Sequence, residues 1–363
     1  MIKVLFTIPN FDTAGSGLPL IKLANNLNKN IFITEIACLH KNGDLFQDKV
    51  LNHFKVHVID LYKKERPILK MILECYRLSK IFKKIKPDII HSYNYNADYT
   101  EPLAAKMAGI KWIYTKKNMS WRGPSYRGWR LRTFLAHSIV CQNKDMIQGF
   151  FKNSNKTFLI PIGVDTNEFK KSIKNKNENV NNRYIITVAN LVKIKGIHTL
   201  IKAFHQVHKN FKEWNLLIVG DYKTEYGIFC KNLVKKLKIG TRVKFLGKQK
   251  KVKKYLEKSE LFVLATSKKG EGAPVSILEA MANSKNIIGS DVSGIKDQLS
   301  AFPNHLFKAD DVESLVNKLK IFLGKSRLEN SDFGDAFQLF VKEKFSLNRE
   351  VTLIESLYKK IVS

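Results

Sequence analysis

Residues 261–282 read LFVLATSKKGEGAPVSILEAMA. The opening six residues are apolar up to Thr266 and do not alternate, which suits a strand buried on both faces. SKKG is a loop, and Pro274 with Val275 marks the start of a helix. Strand, loop and helix in one stretch form half of a βαβ unit. The same order recurs along the chain. In the first half the strand candidates are residues 3–9, 31–39, 54–61, 88–94, 111–115, 137–143 and 157–162. In the second half they are residues 184–190, 214–221, 242–247, 260–266, 286–291 and 305–310. Amphipathic stretches such as residues 18–27 and 68–85 lie between them. Near-continuous strands alternating with helices predict parallel sheets covered on both faces.

Between the two series, residues 170–182 (KKSIKNKNENVNN) are polar and charged, with Ile173 and Val180 the only apolar side chains. That composition reads as an exposed linker. The expected organisation is therefore α/β, with two doubly wound, Rossmann-like domains. The boundaries are 1–164 for the first domain, 165–182 for the linker and 183–344 for the second. Residues 345–363 form a last amphipathic helix that could pack back on the first domain, with Val351, Ile354, Leu357, Tyr358 and Ile361 at helical spacing.

The chain has 363 residues, 44% hydrophobic and 26% charged, as a folded globular protein should. Lys and Arg number 63 against 32 Asp and Glu, a formal net charge of +31. Such an excess favours anionic partners, whether nucleic acid, phosphorylated substrates or an acidic membrane surface. Cys38, Cys75, Cys141 and Cys230 lie far apart without a CxxC, which argues against a disulfide framework or structural zinc. The opening MIKVLFTIPNF is too short an apolar run for a signal peptide, and no run is long enough to span a bilayer. The expected location is cytoplasmic, with peripheral contact at the inner face of the membrane an open possibility.

In open parallel sheets ligands bind beyond the carboxyl ends of the strands, so the loops there are the places to search. Residues 10–18 (NFDTAGSGL) place Gly15 and Gly17 just ahead of a helix, where backbone N–H groups can approach an anion. Only two glycines are present, so the dinucleotide fingerprint is not met and a plain tight turn remains open. Residues 189–204 (ANLVKIKGIHTLIKAF) set Lys193 and Lys195 before a helix start. A lysine there opposes the helix dipole unless a phosphate lies between them, and a solvated basic loop is the alternative. Within residues 271–282, Glu271 sits in the loop and Glu279 in the second helical turn. Glu271 could merely complement the helix N-terminus. Glu279 lies amid Ile277, Leu278 and Met281, where a carboxylate should accept hydrogen bonds, and hydroxyl groups are the obvious donors.

These residues carry a resemblance. The second half resembles the retaining GT-B glycosyltransferases of family 4, whose donor domain bears an EX7E motif, here Glu271 and Glu279. The surrounding order agrees, from VANLVKIKGIHTLIKAF through WNLLIVGD, VKFLG, SELFVLATS and EGAPVSILEAMA to IIGSDVSGIKD. The first half is similar through its Gly-containing first loop, KPDIIHSYN and IPIGVDTNEF, so the likeness covers nearly the whole chain.

The resemblance implies a cleft between the two domains that holds a nucleotide-sugar. Glu279 would accept the ribose hydroxyls. Glu271 would face the sugar, holding hydroxyls and steadying positive charge at the anomeric carbon. The amides of Gly272, Ala273, Val275 and Ser276 would contact sugar and diphosphate. Lys195 matches the phosphate-binding lysine, Gly15 the glycine that brings backbone to the diphosphate, and Gln249 the place that frames the nucleobase. Two departures stand out. Asn190 occupies the place of an arginine, with Lys193 able to compensate, and Lys117 occupies the place of a histidine near the sugar. A lysine can bond a hydroxyl or phosphate there, but it moves protons at neutral pH only if its pKa is lowered. His91 matches a strand-four histidine, and a satisfied structural histidine fits it equally. No DxD or HExxH spacing occurs, so no metal cofactor is expected. Lys195, Lys193 and helix N-termini would stabilise the leaving diphosphate.

The expected partners are a nucleotide-sugar and a glycan or lipid-linked acceptor of a bacterial surface polysaccharide or lipopolysaccharide pathway. Residues 68–85 interleave apolar side chains with Lys70, Arg77, Lys80, Lys83 and Lys84, and could rest on an anionic membrane or simply face the core. Residues 120–132 (SWRGPSYRGWRLR) mix aromatics with Arg122, Arg127, Arg130 and Arg132, which suits a phosphorylated or sugar acceptor. It would also suit bases, so a nucleic-acid-binding protein is the alternative from another class, though no nucleic acid is expected beside paired carboxylates. A GT-B-like phosphorylase or epimerase is the remaining alternative.

Overall fold

A computed structural model describes residues 1–12, 14–61, 68–94, 98–120, 126–172 and 182–363. The chain divides into two compact units, one of residues 1–162 with 347–363 and one of residues 163–346.

The first unit opens with β1 (Ile2–Thr7), α1 (Ala14–Asn26), β2 (Phe32–Cys38), α2 (Asp44–Lys49), β3 (Lys55–Val58) and α3 (Ile68–Ile85). It continues through β4 (Ile89–Ser92), α4 (Thr100–Ala108), β5 (Lys111–Lys116), α5 (Tyr126–Leu135), β6 (Ser138–Cys141), α6 (Lys144–Phe150) and β7 (Thr157–Leu159). Its strands lie in the order β3-β2-β1-β4-β5-β6-β7, and every pairing is parallel. β4 and β6 are buried along their whole length, which is why neither shows the apolar–polar alternation of a half-exposed strand.

The second unit begins at α7 (Thr166–Phe169), whose first amides are capped by the Asp165 carboxylate. It runs through β8 (Arg183–Val188), α8 (Ile197–Val207), β9 (Trp214–Val219), α9 (Glu225–Lys236), β10 (Val243–Gly247) and α10 (Lys253–Glu257). Then follow β11 (Leu261–Leu264), α11 (Val275–Ala282), β12 (Asn286–Ser290), α12 (Ile295–Gln298), β13 (Leu306–Phe307), α13 (Val312–Leu323) and α14 (Arg327–Lys344). The sheet order is β10-β9-β8-β11-β12-β13, again parallel throughout. The last helix, α15 (Leu347–Val362), belongs to the first unit. Its Leu347, Val351, Ile354, Leu357, Tyr358 and Ile361 join the core built on β1 and α1.

In each sheet the direction of winding reverses once, between β1 and β4 and between β8 and β11. Those are the points where adjacent loops leave in opposite directions and open a ligand crevice. The whole of the residue 170–182 expectation cannot be placed, since residues 173–181 lie outside the described residues. All four cysteines are buried and free. No helix among the described residues is long and apolar enough to cross a membrane.

Two expectations change. Gly15 lies in the first turn of α1 rather than ahead of it, with four residues of helix before the anticipated start at Leu18. Pro19 inside that helix withholds the N–H that the Gly15 carbonyl would have accepted. The basic and aromatic segment also divides. Arg132 is fully buried against the rings of Trp112, Tyr114 and Trp129. Its guanidinium donates to Ser92 Oγ and to the carbonyls of Asn94 and Asp98. It is thus a core residue, the Glu101 and Asp98 charges and the carbonyls of Asn94 and Asp98 opposing the cost of its burial. Arg127 and Arg130 are exposed, and Trp121 and Arg122 lie outside the described residues.

Candidate functional site

The second unit gathers its chemistry where β8 and β11 end. After β8 the chain turns through a short 3-10 segment, Lys193–Lys195, and enters α8 at Gly196. Gly196 has φ +59, and a Cβ there would overlap the Ala265 carbonyl oxygen. Only glycine lets the two loops touch. The contact is extended by Ser267 N–H, which donates to the Ile194 carbonyl at 2.8 Å. Lys195 is thereby brought onto Glu271, and Lys195 Nζ forms an ion pair with Glu271 Oε2. Thr266 Oγ1 donates to the other carboxylate oxygen.

The Glu271 main chain is fixed from behind. Its N–H donates to the Ser293 carbonyl at 3.1 Å. Gly294, with φ +82, lies so close that a Cβ would stand 2.6 Å from the carbonyl oxygens of Glu271 and Gly272. Thr266, Ser293 and Gly294 were not singled out from the sequence. The only advance signal was the position of each just past a strand.

α11 starts at Val275 with Pro274 as its N-cap and no capping side chain. Its N-terminus therefore presents backbone donors of Val275 and Ser276 near Gly272 and Ala273, a setting suited to an anion. Ile277, Leu278, Ala280, Met281 and Ala282 are buried, whereas Glu279 on the same helix keeps partial exposure. Asn190 and Lys193 are exposed. Gln249 is held within its own loop: its amide donates to the Leu246 carbonyl at 2.5 Å and accepts from the Tyr255 hydroxyl at 3.0 Å.

A partly exposed carboxylate and ammonium beside a helix end can together meet hydroxyls and phosphate oxygens. The Lys195 and Glu271 side chains retain 20% and 12% exposure, so both can be reached. For Lys195 to take a phosphate oxygen it must share or leave Glu271, while Thr266 keeps the carboxylate in place. Among the described residues there is no group of three or more His, Cys, Asp or Glu side chains that could hold a metal ion.

In the first unit, His91 and Lys117 meet around Tyr93. His91 is fully buried, Nδ1 lying 2.6 Å from the Tyr358 hydroxyl and Nε2 2.8 Å from Thr115 Oγ1. Burial, and then the Lys117 charge, push its pKa down to about 3. With both nitrogens engaged, His91 orders the end of β4 and cannot also touch a substrate in this arrangement. Lys117 Nζ is buried over the Tyr93 ring, 4.3 Å from its centroid. Burial pushes its pKa down to about 7, against the opposing pull of Glu350. That is the lowered value a lysine needs for proton exchange near neutrality.

Two family models divide the chain. Glycosyltransferase Family 4 matches residues 19–168 and Glycosyl transferases group 1 matches residues 168–335. An uncharacterized glycosyltransferase of Haemophilus influenzae is 31% identical over 173 residues, 44% of this chain and 48% of that protein. A Campylobacter jejuni relative, N,N'-diacetylbacillosaminyl-diphospho-undecaprenol alpha-1,3-N-acetylgalactosaminyltransferase, is 26% identical over 376 residues. That match takes in 95% of this chain and 96% of the relative. The crystal structure of Anabaena HepE in complex with UDP and glucose superposes with a TM-score of 0.83 at 18% identity, covering 100% of both chains. At that identity the likeness shows the fold alone. The chain spans roughly half the length of the first curated relatives it matches. With two doubly wound sheets and family models that together take in residues 19–335, the chain belongs to the GT-B glycosyltransferases.

Proposed function

We propose that the chain transfers a sugar, with retention and without a metal cofactor, from a nucleotide-sugar to a hydroxyl of a glycan or lipid-linked acceptor. A bacterial surface polysaccharide or lipopolysaccharide pathway is its setting. The observation that carries this reading is the convergence of Lys195, Glu271 and the N-terminus of α11 where β8 and β11 end. HepE, a neighbour in fold, is described in complex with UDP and glucose. The Campylobacter relative is named for a diphospho-undecaprenol acceptor.

In this reading Glu271 faces the donor sugar and favours positive charge developing at the anomeric carbon. Lys195, aided by Lys193, and the amides of Gly272, Ala273, Val275 and Ser276 hold the diphosphate as it leaves. Glu279 accepts the ribose hydroxyls, and Gln249 borders the nucleobase. The acceptor hydroxyl attacks from the face the diphosphate leaves, and a phosphate oxygen takes its proton, which gives retention. Thermal-shift screening against UDP-, GDP-, ADP- and CMP-sugars beside a short oligonucleotide tests the class. Stabilisation by a nucleotide-sugar is expected, and stabilisation by the oligonucleotide alone would replace the proposal with a nucleic-acid binder. Turnover that survives EDTA and yields a product of unchanged anomeric configuration is expected. Loss of either result removes metal independence or retention.

The acceptor side points to an anionic membrane surface as a further partner. α3 buries Met71, Cys75, Leu78, Phe82 and Ile85, yet leaves Leu69, Ile72, Leu73 and Tyr76 exposed, Leu69 by 70%. Arg77, Lys80, Lys83 and Lys84 follow on the exposed side. Apolar side chains beside lysines suit the headgroup boundary of an acidic bilayer. Co-sedimentation with vesicles containing phosphatidylglycerol, and its loss in Leu73→Glu, is the expected result. Equal binding to neutral vesicles would leave the lysines without this role.

A further inference from the structure

Lys117 follows β5 directly, and its Nζ is buried without a hydrogen-bond partner among the described residues. The residue as a whole keeps partial exposure although Nζ is buried, so the amine sits at the end of a flexible four-carbon stem close to the surface. Each element packed around it supplies named groups. β4 gives His91, neutral and doubly hydrogen-bonded, and the residue after β4 gives Tyr93. α15 gives Glu350 and Tyr358, both buried. β5 gives Thr115, engaged with His91. Burial raises the pKa of both tyrosines, so neither phenol ionises near neutrality. Glu350 is the one group in this nest whose charge draws a proton to Lys117.

Lys116 provides an internal contrast. Successive residues on a strand face opposite sides, and Lys116 points toward Trp129 and Phe150. Its Nζ donates to the carbonyls of Asn118 and Ser120 and to Asn118 Oδ1, at 2.7–2.9 Å. Lys116 is also pushed down to about 7 by burial, but its donors are already used. Those of Lys117 are not, and a buried amine at a ligand-facing strand end with unused donors calls for an acceptor.

We propose that Lys117 is a receptor for a diphosphate oxygen, taking up a proton from solvent as the diphosphate arrives and releasing it as the diphosphate leaves. The balance is simple: a neutral amine and one proton become an ammonium that donates to a phosphate oxygen, and no covalent bond changes. Glu350 is a positioning residue that raises the proton affinity of the amine before the ligand arrives. This rests on the reading of the chain as a glycosyltransferase, and the diphosphate comes from the nucleotide donor or from a lipid-linked acceptor.

The test is titration calorimetry of the full chain at pH 8 in buffers of different ionisation enthalpy. One arm uses UDP, GDP and ADP, and the other farnesyl diphosphate. In at least one arm, uptake approaching one proton per ligand is expected, with affinity falling about tenfold for each pH unit above 7. The arm that shows it names the source. Lys117→Met, close in size and apolar, should still fold and should lose the uptake. Lys117→Arg should bind without uptake, because its charge is permanent. Glu350→Gln should move the pH dependence to lower pH. Binding in either arm with no proton uptake overturns the role of Lys117 and leaves the transferase reading standing. Uptake that persists in Lys117→Met assigns the proton to Lys116 or the ligand and also overturns it. Absence of binding in both arms removes the proposal and the transferase reading together.

Discussion

Two strand ends in this molecule set a lysine against a glutamate, and the two settle differently. Where β8 ends, Lys195 and Glu271 touch, with Thr266 completing the carboxylate and both side chains in reach of water. Where β5 ends, Lys117 feels Glu350 only through space, is buried, and has an amine pushed down to about 7. Residue type is the same in both places. Contact with solvent and with a hydrogen-bonding partner decides the difference, since desolvation works against the ammonium unless an acceptor offsets it. A charge already paired is suited to holding a ligand charge by exchange of partners. An amine poised near neutrality is suited to acquiring its charge on demand.

The contrast can be broken most forcefully at Glu271. Glu271→Gln keeps the size but removes the charge, and turnover with the preferred nucleotide-sugar should fall by about 10²–10³-fold with folding intact. Unchanged turnover would separate Glu271 from the reacting centre. Lys195→Ala should weaken binding of the nucleoside diphosphate by about 1.5–3 kcal/mol, as a charged hydrogen bond would. Affinity for the free nucleoside should hold, and equal losses for both would deny Lys195 a phosphate role. Glu279→Ala should cost a comparable or smaller amount, felt by nucleoside and nucleotide alike, in the same calorimetric series. The finest probe is Gly294→Ala. It should displace the Glu271 backbone and reduce stability by about 1–3 kcal/mol, judged by chemical denaturation.

Much of the fold could be read beforehand because parallel strands buried on both faces leave an unmistakable apolar record. LFVL at β11 is such a run, and α3 begins and ends where its apolar spacing predicts. The start of α1 was less legible, because Gly15, Gly17 and Pro19 read locally as loop residues while tertiary packing carries the helix through them. For the candidate site, the spacing of Glu271 and Glu279 was visible, and so was Lys195 ahead of its helix. Their pairing was not. It depends on β8 lying beside β11 and on Gly196 pressing against Ala265, facts of sheet order separated by many residues. The fate of Arg132 was hidden for the same reason. A guanidinium near aromatics looks alike in sequence whether it meets a ligand or, as here, Trp112 and Tyr114 in the interior.

α15 carries a consequence for how the polypeptide is made. Its six apolar side chains fill the core laid down around β1 and α1, yet they are synthesised only after the whole of the second unit. The second unit is continuous in sequence and can fold during synthesis. The first must wait with that core unfinished, so a nascent chain halted before residue 347 would leave β1 and α1 exposed to proteases and chaperones.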